Sequence, residues 1–150
     1  MKLPTLIIFL LLFSINSIAQ QLHFETSNSI VVGSFFEIEI SSFSKKEDSI
    51  NVSLKRDKLS KGKLIRKLIL KKKISRKIFE DIIDKFLEIK PKDIYNNNLI
   101  YLDPSATEIS LNYFNQTEII YRFEEFPNEQ ILNLIKMILE TVGGNISWLN

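Results

Sequence analysis

The sequence predicts an α+β domain, an antiparallel sheet with two helices packed on one of its faces. Three observations lead there: segments of strict two-residue alternation, two segments with a helical apolar stripe, and turn chemistry at the joints between them. The first alternating segment is Phe35 to Ser41, where Phe36, Ile38 and Ile40 alternate with Glu37, Glu39 and Ser41. Ile50, Val52 and Leu54 repeat the pattern, and Ser44-Lys45-Lys46-Glu47-Asp48 between them has turn composition, so Phe35 to Leu54 reads as a hairpin. Lys63 to Ile74 fits either period. Gly62 precedes it, and a helix continued onward would carry Lys72, Lys73 and Arg76 within its apolar stripe, so a strand with Leu64, Leu68, Leu70 and Ile74 on one face is preferred.

Ser75 has the chemistry of a helix N-cap, its hydroxyl able to accept from an unpaired N–H of the first turn. Ile78, Phe79, Ile82, Ile83, Phe86 and Leu87 then follow at the spacing of one buried helical face, and Pro91 ends the helix. After the loop Asn96-Asn97-Asn98, three short strands are expected at Leu99–Leu102, Glu108–Tyr113 and Glu118–Phe123. Asp103-Pro104-Ser105 and Phe114-Asn115-Gln116 supply the turns of that meander. Pro127 suits the first turn of a second helix, whose stripe is Ile131, Leu134, Ile135, Ile138 and Val142. Gly143-Gly144 stops it, because glycine tolerates the left-handed conformation past a helix end.

Residues 1–19 read as a cleavable secretory signal peptide. Lys2 is the positive end, Leu6 to Phe13 the apolar run, and Ser17 and Ala19 the small residues that set cleavage between Ala19 and Gln20. The run is shorter than the roughly 20 apolar residues a bilayer span needs. The chain contains no cysteine, so a lipid-modified cleavage site and disulfide staples are both excluded. A mature chain of about 130 residues buries roughly two thirds of its unfolded surface, enough for one core, so residues 20–150 are expected to form a single domain. The expected location is the periplasm or the exterior, with the mature chain in solution.

The run Lys73-Ile74-Ser75-Arg76-Lys77-Ile78-Phe79-Glu80-Asp81-Ile82-Ile83, with Ile100-Tyr101-Leu102-Asp103, Thr107-Glu108-Ile109-Ser110-Leu111, Tyr121-Arg122-Phe123 and the closing leucine-rich helix, resembles a loose group of small exported proteins typical of Bacteroidota. Such proteins often carry a glycine after the aspartate, where Pro104 stands here. The resemblance implies the α+β fold and export, and carries no defined activity.

Charge is distributed unevenly. Between Lys55 and Lys77 stand 12 basic residues with Asp57 the only acid, whereas from Ile78 onward 12 acids face five bases. The net charge of +2 therefore conceals a dipolar chain. Lys63, Arg66, Lys67, Lys71, Lys72, Lys73 and Arg76 are the candidate anion- or partner-binding residues. An anionic glycan, a lipid headgroup or an acidic protein would suit them. Nucleic acid is disfavoured, since Lys55 to Lys77 has no aromatic residue on which a base could stack. The competing explanation is a lysine-rich edge strand that blocks aggregation and pairs with the acidic half of the chain.

Catalytic patterns are weak by comparison. His23 is the only histidine; so close to the new N-terminus it reads as a strand-edge or tail residue, which leaves a catalytic triad without a base. One imidazole and no thiol give no transition-metal site. Ser42 to Lys45 and Ser60 to Lys63 have Ser-x-x-Lys spacing but neither lies on an expected helix. Glu80, Asp84 and Glu88 would stack along an exposed helix face, without the glycine-bearing loop of a calcium site. Asp103, in its tight turn, is the first candidate acid of a small carboxylate-dependent hydrolase, the alternative to a binding role. No cofactor is implied. The tyrosines and Trp148 are read as core packing rather than a carbohydrate platform. The sequons at Asn51, Asn115 and Asn145 matter only in a eukaryotic secretory pathway.

Overall fold

The computed structural model describes residues 20–28, 34–44, 46–90, 105–112, 118–123 and 129–149. These form one six-stranded antiparallel sheet and two helices, the α+β architecture read from the sequence. The strands are β1 (Gln20–Asn28), β2 (Phe36–Ser42), β3 (Ser49–Ser60), β4 (Lys63–Ser75), β5 (Ser105–Asn112) and β6 (Ile119–Phe123). The helices are α1 (Arg76–Glu88) and α2 (Glu129–Glu140), and a 3-10 turn follows at Ile146–Leu149. Strand order is β4-β3-β2-β1-β5-β6, so β4 and β6 are the edges. The expected strand Leu99–Leu102 and the turn with Asp103 lie outside the described residues.

The pleat explains the layering. Leu22, Phe24, Phe36, Ile38, Ile40, Ile50, Val52, Leu54, Ile109 and Leu111 all project to one face and are buried there. Phe79, Ile82, Ile83 and Phe86 of α1 and Ile131, Leu134, Ile135, Ile138 and Leu139 of α2 join them in a single core. The alternate residues form an opposite face made of Gln21, His23, Glu25, Glu37, Glu39, Ser53, Glu108 and their neighbours. Ten apolar side chains on one face and carboxylates on the other leave only one way to fold the helices onto the sheet.

Helix boundaries follow local chemistry. The Ser75 hydroxyl accepts from the Ile78 N–H, as its N-cap role requires. At the far end of α2, Gly143 takes φ +74° and the Gly144 N–H donates to the Leu139 carbonyl, a six-to-one closure that satisfies a helix-end acceptor. Two positions of the expected α1 stripe depart from it: Ile78 and Leu87 are exposed, because the stripe buried between sheet and α2 is only four residues wide.

Two further readings are corrected. His23 is neither tail nor edge, since β1 runs through the middle of the sheet, pairing with β2 on one side and β5 on the other. Leu64, Leu68, Leu70 and Ile74 do not share a face. Leu70 pairs with Leu54 and Leu68 with Lys55, so Ile69 has no partner and forms a β-bulge in β4. Beyond the bulge the alternation is inverted, which sends Leu64 and Leu68 to the face opposite Leu70 and Ile74.

Candidate functional site: the basic hairpin

The hairpin β3–β4 is longer than the strand it leans on. Strand β2 stops pairing at Phe36, opposite Arg56, with one further bond from the Asp57 N–H to the Phe35 carbonyl. From Lys58 to Lys67 the two strands continue as a ribbon with no described neighbour strand. Lys61 and Gly62 close it at φ +50° and +73°, the pair of positive values that a type I′ turn needs and that matches the twist of the flanking strands.

The root of this arm is fixed by charge and by rings. Glu37, only 8% exposed at its side chain, accepts a hydrogen bond from Lys55 Nζ at 2.6 Å and lies 3.5 Å from Arg66. Arg66 also reaches Asp57 at 3.5 Å and covers the Phe35 ring, 3.6 Å from its centroid. On the opposite face the Arg56 guanidinium lies 4.2 Å from the centroid of the Trp148 ring and 5.4 Å from that of Phe36, with its Nε buried and lacking a hydrogen-bond partner among the described residues. The hydrogen bond to Glu37 raises the Lys55 pKa above its ordinary value, against a smaller lowering by desolvation.

The 12 cations of the segment therefore divide. Lys55, Arg66 and Arg76 are matched internally, Arg76 through the Glu47 and Ser44 carbonyls and a 3.8 Å approach to Glu80. Arg56 is packed beneath Trp148. Lys58, Lys61, Lys63, Lys67, Lys71, Lys72, Lys73 and Lys77 are exposed and have no acidic partner within 4.0 Å among the described residues. Of the candidate binding residues, Lys63, Lys67, Lys71, Lys72 and Lys73 thus remain open to a ligand, and Arg66 and Arg76 hold the hairpin in place.

These lysines are not all on one side. Lys58, Lys63, Lys67 and Lys72 share the helix-bearing side of the sheet, Lys71 and Lys73 the other, and Lys61 sits at the tip. Lys71 borders a groove of about 290 Å³ with Glu39, Ser53 and Leu68. Lys72 borders another of about 320 Å³, with Ile78, Asp81, Met137 and Glu140, the two carboxylates lying beyond ion-pair range. The positive charge therefore wraps the free edge of the sheet rather than forming a flat patch.

Exposed apolar side chains accompany it, which the sequence reading did not anticipate. Leu59 is 62% exposed, Ile69 54%, Ile65 and Leu68 50% each and Leu64 48%. The signal for them lay in the bulge, and a β-bulge leaves no mark in hydropathy.

The acids follow a separate pattern on the open face. One rank across the sheet reads Lys55, Glu37, Glu25, Glu108, Arg122, by successive strand pairings. Glu37 is held by Lys55 and Arg66, Glu108 by Arg122, and Glu25 lies 3.2 Å from His23 Nε2. This rank was missed because β1 was missed; the alternation Leu22, Phe24, Thr26 was its available signal. On α1, Glu88 pairs with Lys85 at 2.7 Å, and Asp84 is an exposed neighbour on the same face. Among the described residues no three His, Asp or Glu side chains converge as a metal site. Among the described aromatics, Tyr121 donates to the Ile89 carbonyl and packs on Phe86, and Trp148 meets Phe36 edge-on.

Among the described residues no helix is long and apolar enough to cross a membrane. Comparison of the chain with protein-family models, with curated proteins and with solved structures gives no match.

Proposed function

We propose that this protein is an exported, non-catalytic docking module, periplasmic or secreted, that engages an anionic envelope component or acidic partner through the β3–β4 hairpin. The observation that carries the reading is the set of eight lysines without an acidic partner among the described residues, seven of them on a hairpin that outruns the described strand beside it and the eighth, Lys77, at the start of α1. Solubility alone would be served by lysines interspersed with acids, whereas an uncompensated cluster produces a field that attracts polyanions. The signal-like leader, residues 1–19, supports the compartment. A carboxylate-dependent hydrolase has less in its favour: Asp103 lies outside the described residues, and Glu37 and Glu108 are each matched by a cation.

Replacing Lys67, Lys71, Lys72 and Lys73 by glutamine tests the reading. At about 1 kcal/mol for each lysine at an anionic surface, four changes weaken binding to heparin or to phosphatidylglycerol vesicles by about a thousandfold at low salt. Wild-type binding should also fall steeply as salt is raised. Equal binding by the variant, or binding indifferent to salt, would remove the hairpin from the proposal.

A further inference from the structure

We infer that the distal half of the hairpin is an element that inserts into the surface of an anionic lipid bilayer. The inference rests on the docking reading above and names the anion's source. Two opposite faces of the ribbon carry it. Leu59 and Leu64 are cross-strand partners, and Leu68 lies on the same face four residues further along β4. All three are about half exposed or more. The one charged rank between them, Asp57 with Arg66, is internally paired, and Arg66 is stacked on Phe35, so this face carries no uncompensated charge from the tip to Leu68. The reverse face carries Lys58, Lys63 and Lys67, with Lys61 at the turn and the half-exposed Ile65 flanked by these lysines.

This is the polarity of an interfacial element: an apolar side that enters the acyl boundary to a depth of about 5–10 Å, and a basic side whose long stems place ammonium groups among the phosphates. A polysaccharide would satisfy the lysines and leave the leucines in water. An acidic protein could satisfy both only with a surface that is itself both oily and acidic, whereas an anionic bilayer presents those two layers in the order the ribbon needs. A second copy adding to the free edge of β4 is opposed by Lys67, Lys71, Lys72 and Lys73 along that edge.

The test uses the chain from Gln20 onward, which holds all six strands and both helices, so that the apolar run Leu6–Phe13 does not itself bind vesicles. Cooperative thermal unfolding is verified first. Vesicles of phosphatidylcholine alone, the same with phosphatidylglycerol, and soluble heparin are the three probes. Leu64→Trp introduces a reporter at the ribbon, and the parent chain, whose only tryptophan is Trp148, is the blank. The expected result is binding to anionic vesicles, quenching of the new tryptophan by lipids brominated on the acyl chain, and a loss of about a hundredfold in vesicle affinity for the triple change Leu59→Ser, Leu64→Ser, Leu68→Ser. Heparin affinity is expected to be the same for parent and triple variant. Unquenched tryptophan together with equal vesicle binding by the triple variant would overturn insertion while leaving anion docking in place. Binding to neither anionic vesicles nor heparin would overturn both.

Discussion

Glu37 offers the sharpest test of how the hairpin is held. The change Glu37→Gln keeps shape and volume but removes the negative charge that faces Lys55 at 2.6 Å and Arg66 at 3.5 Å. Fully buried, the loss of one partner of such a pair costs about 3–5 kcal/mol. Here the carboxylate is nearly buried, but Lys55 is a third exposed and Arg66 about half, so both cations recover hydration once released. Arg66 also keeps Asp57 and the Phe35 ring. Discounting for that screening leaves about 1–2 kcal/mol, or a melting temperature lower by about 4–8 °C for a domain of this size. Lys71→Gln is the matched control, a cation of the same hairpin without an acidic partner among the described residues, expected to shift stability by no more than about 0.5 kcal/mol. Urea titration of both variants measures the difference. Hydrogen exchange adds location: amides near the root of the arm, from Lys55 to Asp57 and from Arg66 to Leu68, should lose protection in Glu37→Gln while Ile38 and Ile40 retain it. Equal stability of the two variants would refute the claim that Glu37 anchors the ribbon.

Gly144→Ala would place a methyl 2.8 Å from two carbons of the Trp148 ring, so the indole must move from Gly144 and its packing on Arg56 and Phe36 changes. A cost of about 1–3 kcal/mol and an altered emission spectrum from the single tryptophan are expected; unchanged fluorescence would contradict the packing described. Alkaline pH should destabilise the fold. The Lys55 pKa is raised above 10.5 by its bond to Glu37, and that of Tyr121 above 10.0 by desolvation, so both contributions are complete below those ordinary values and vanish as pH climbs through the raised ones. A melting temperature that falls above about pH 10, and falls less in a Lys55→Met, Tyr121→Phe double variant, is the expected pattern.

Much of the fold was legible because the sheet has one apolar and one polar face. Ile38 and Ile40, or Ile50 and Val52, can be assigned to a strand and to a side by alternation alone. The N-cap at Ser75 and the stop at Gly143-Gly144 were legible for the same kind of reason, each being a local backbone requirement met by a residue suited to it. Strand β1 escaped because its buried positions include Gln20 and Thr26, which hydropathy reads as wet. Thr26 is buried with its hydroxyl bonded to that of Thr107, a partner far along the chain. The basic residues were legible as a group, but their division was not. Whether Lys55 or Lys71 meets a carboxylate depends on which strand lies opposite, and pairing across strands is not written in spacing.

The unpaired Ile69 has an effect larger than its size. By adding one step to β4 without a matching step in β3, it separates the two ends of the hairpin into independently addressed surfaces. The proximal end keeps the phase that feeds Leu70 and Ile74 to the interior, and the distal end answers to a different environment with oil and charge exchanged. A single strand can in this way serve the stability of the domain at its base and an outside encounter at its tip, without either demand constraining the residues chosen for the other.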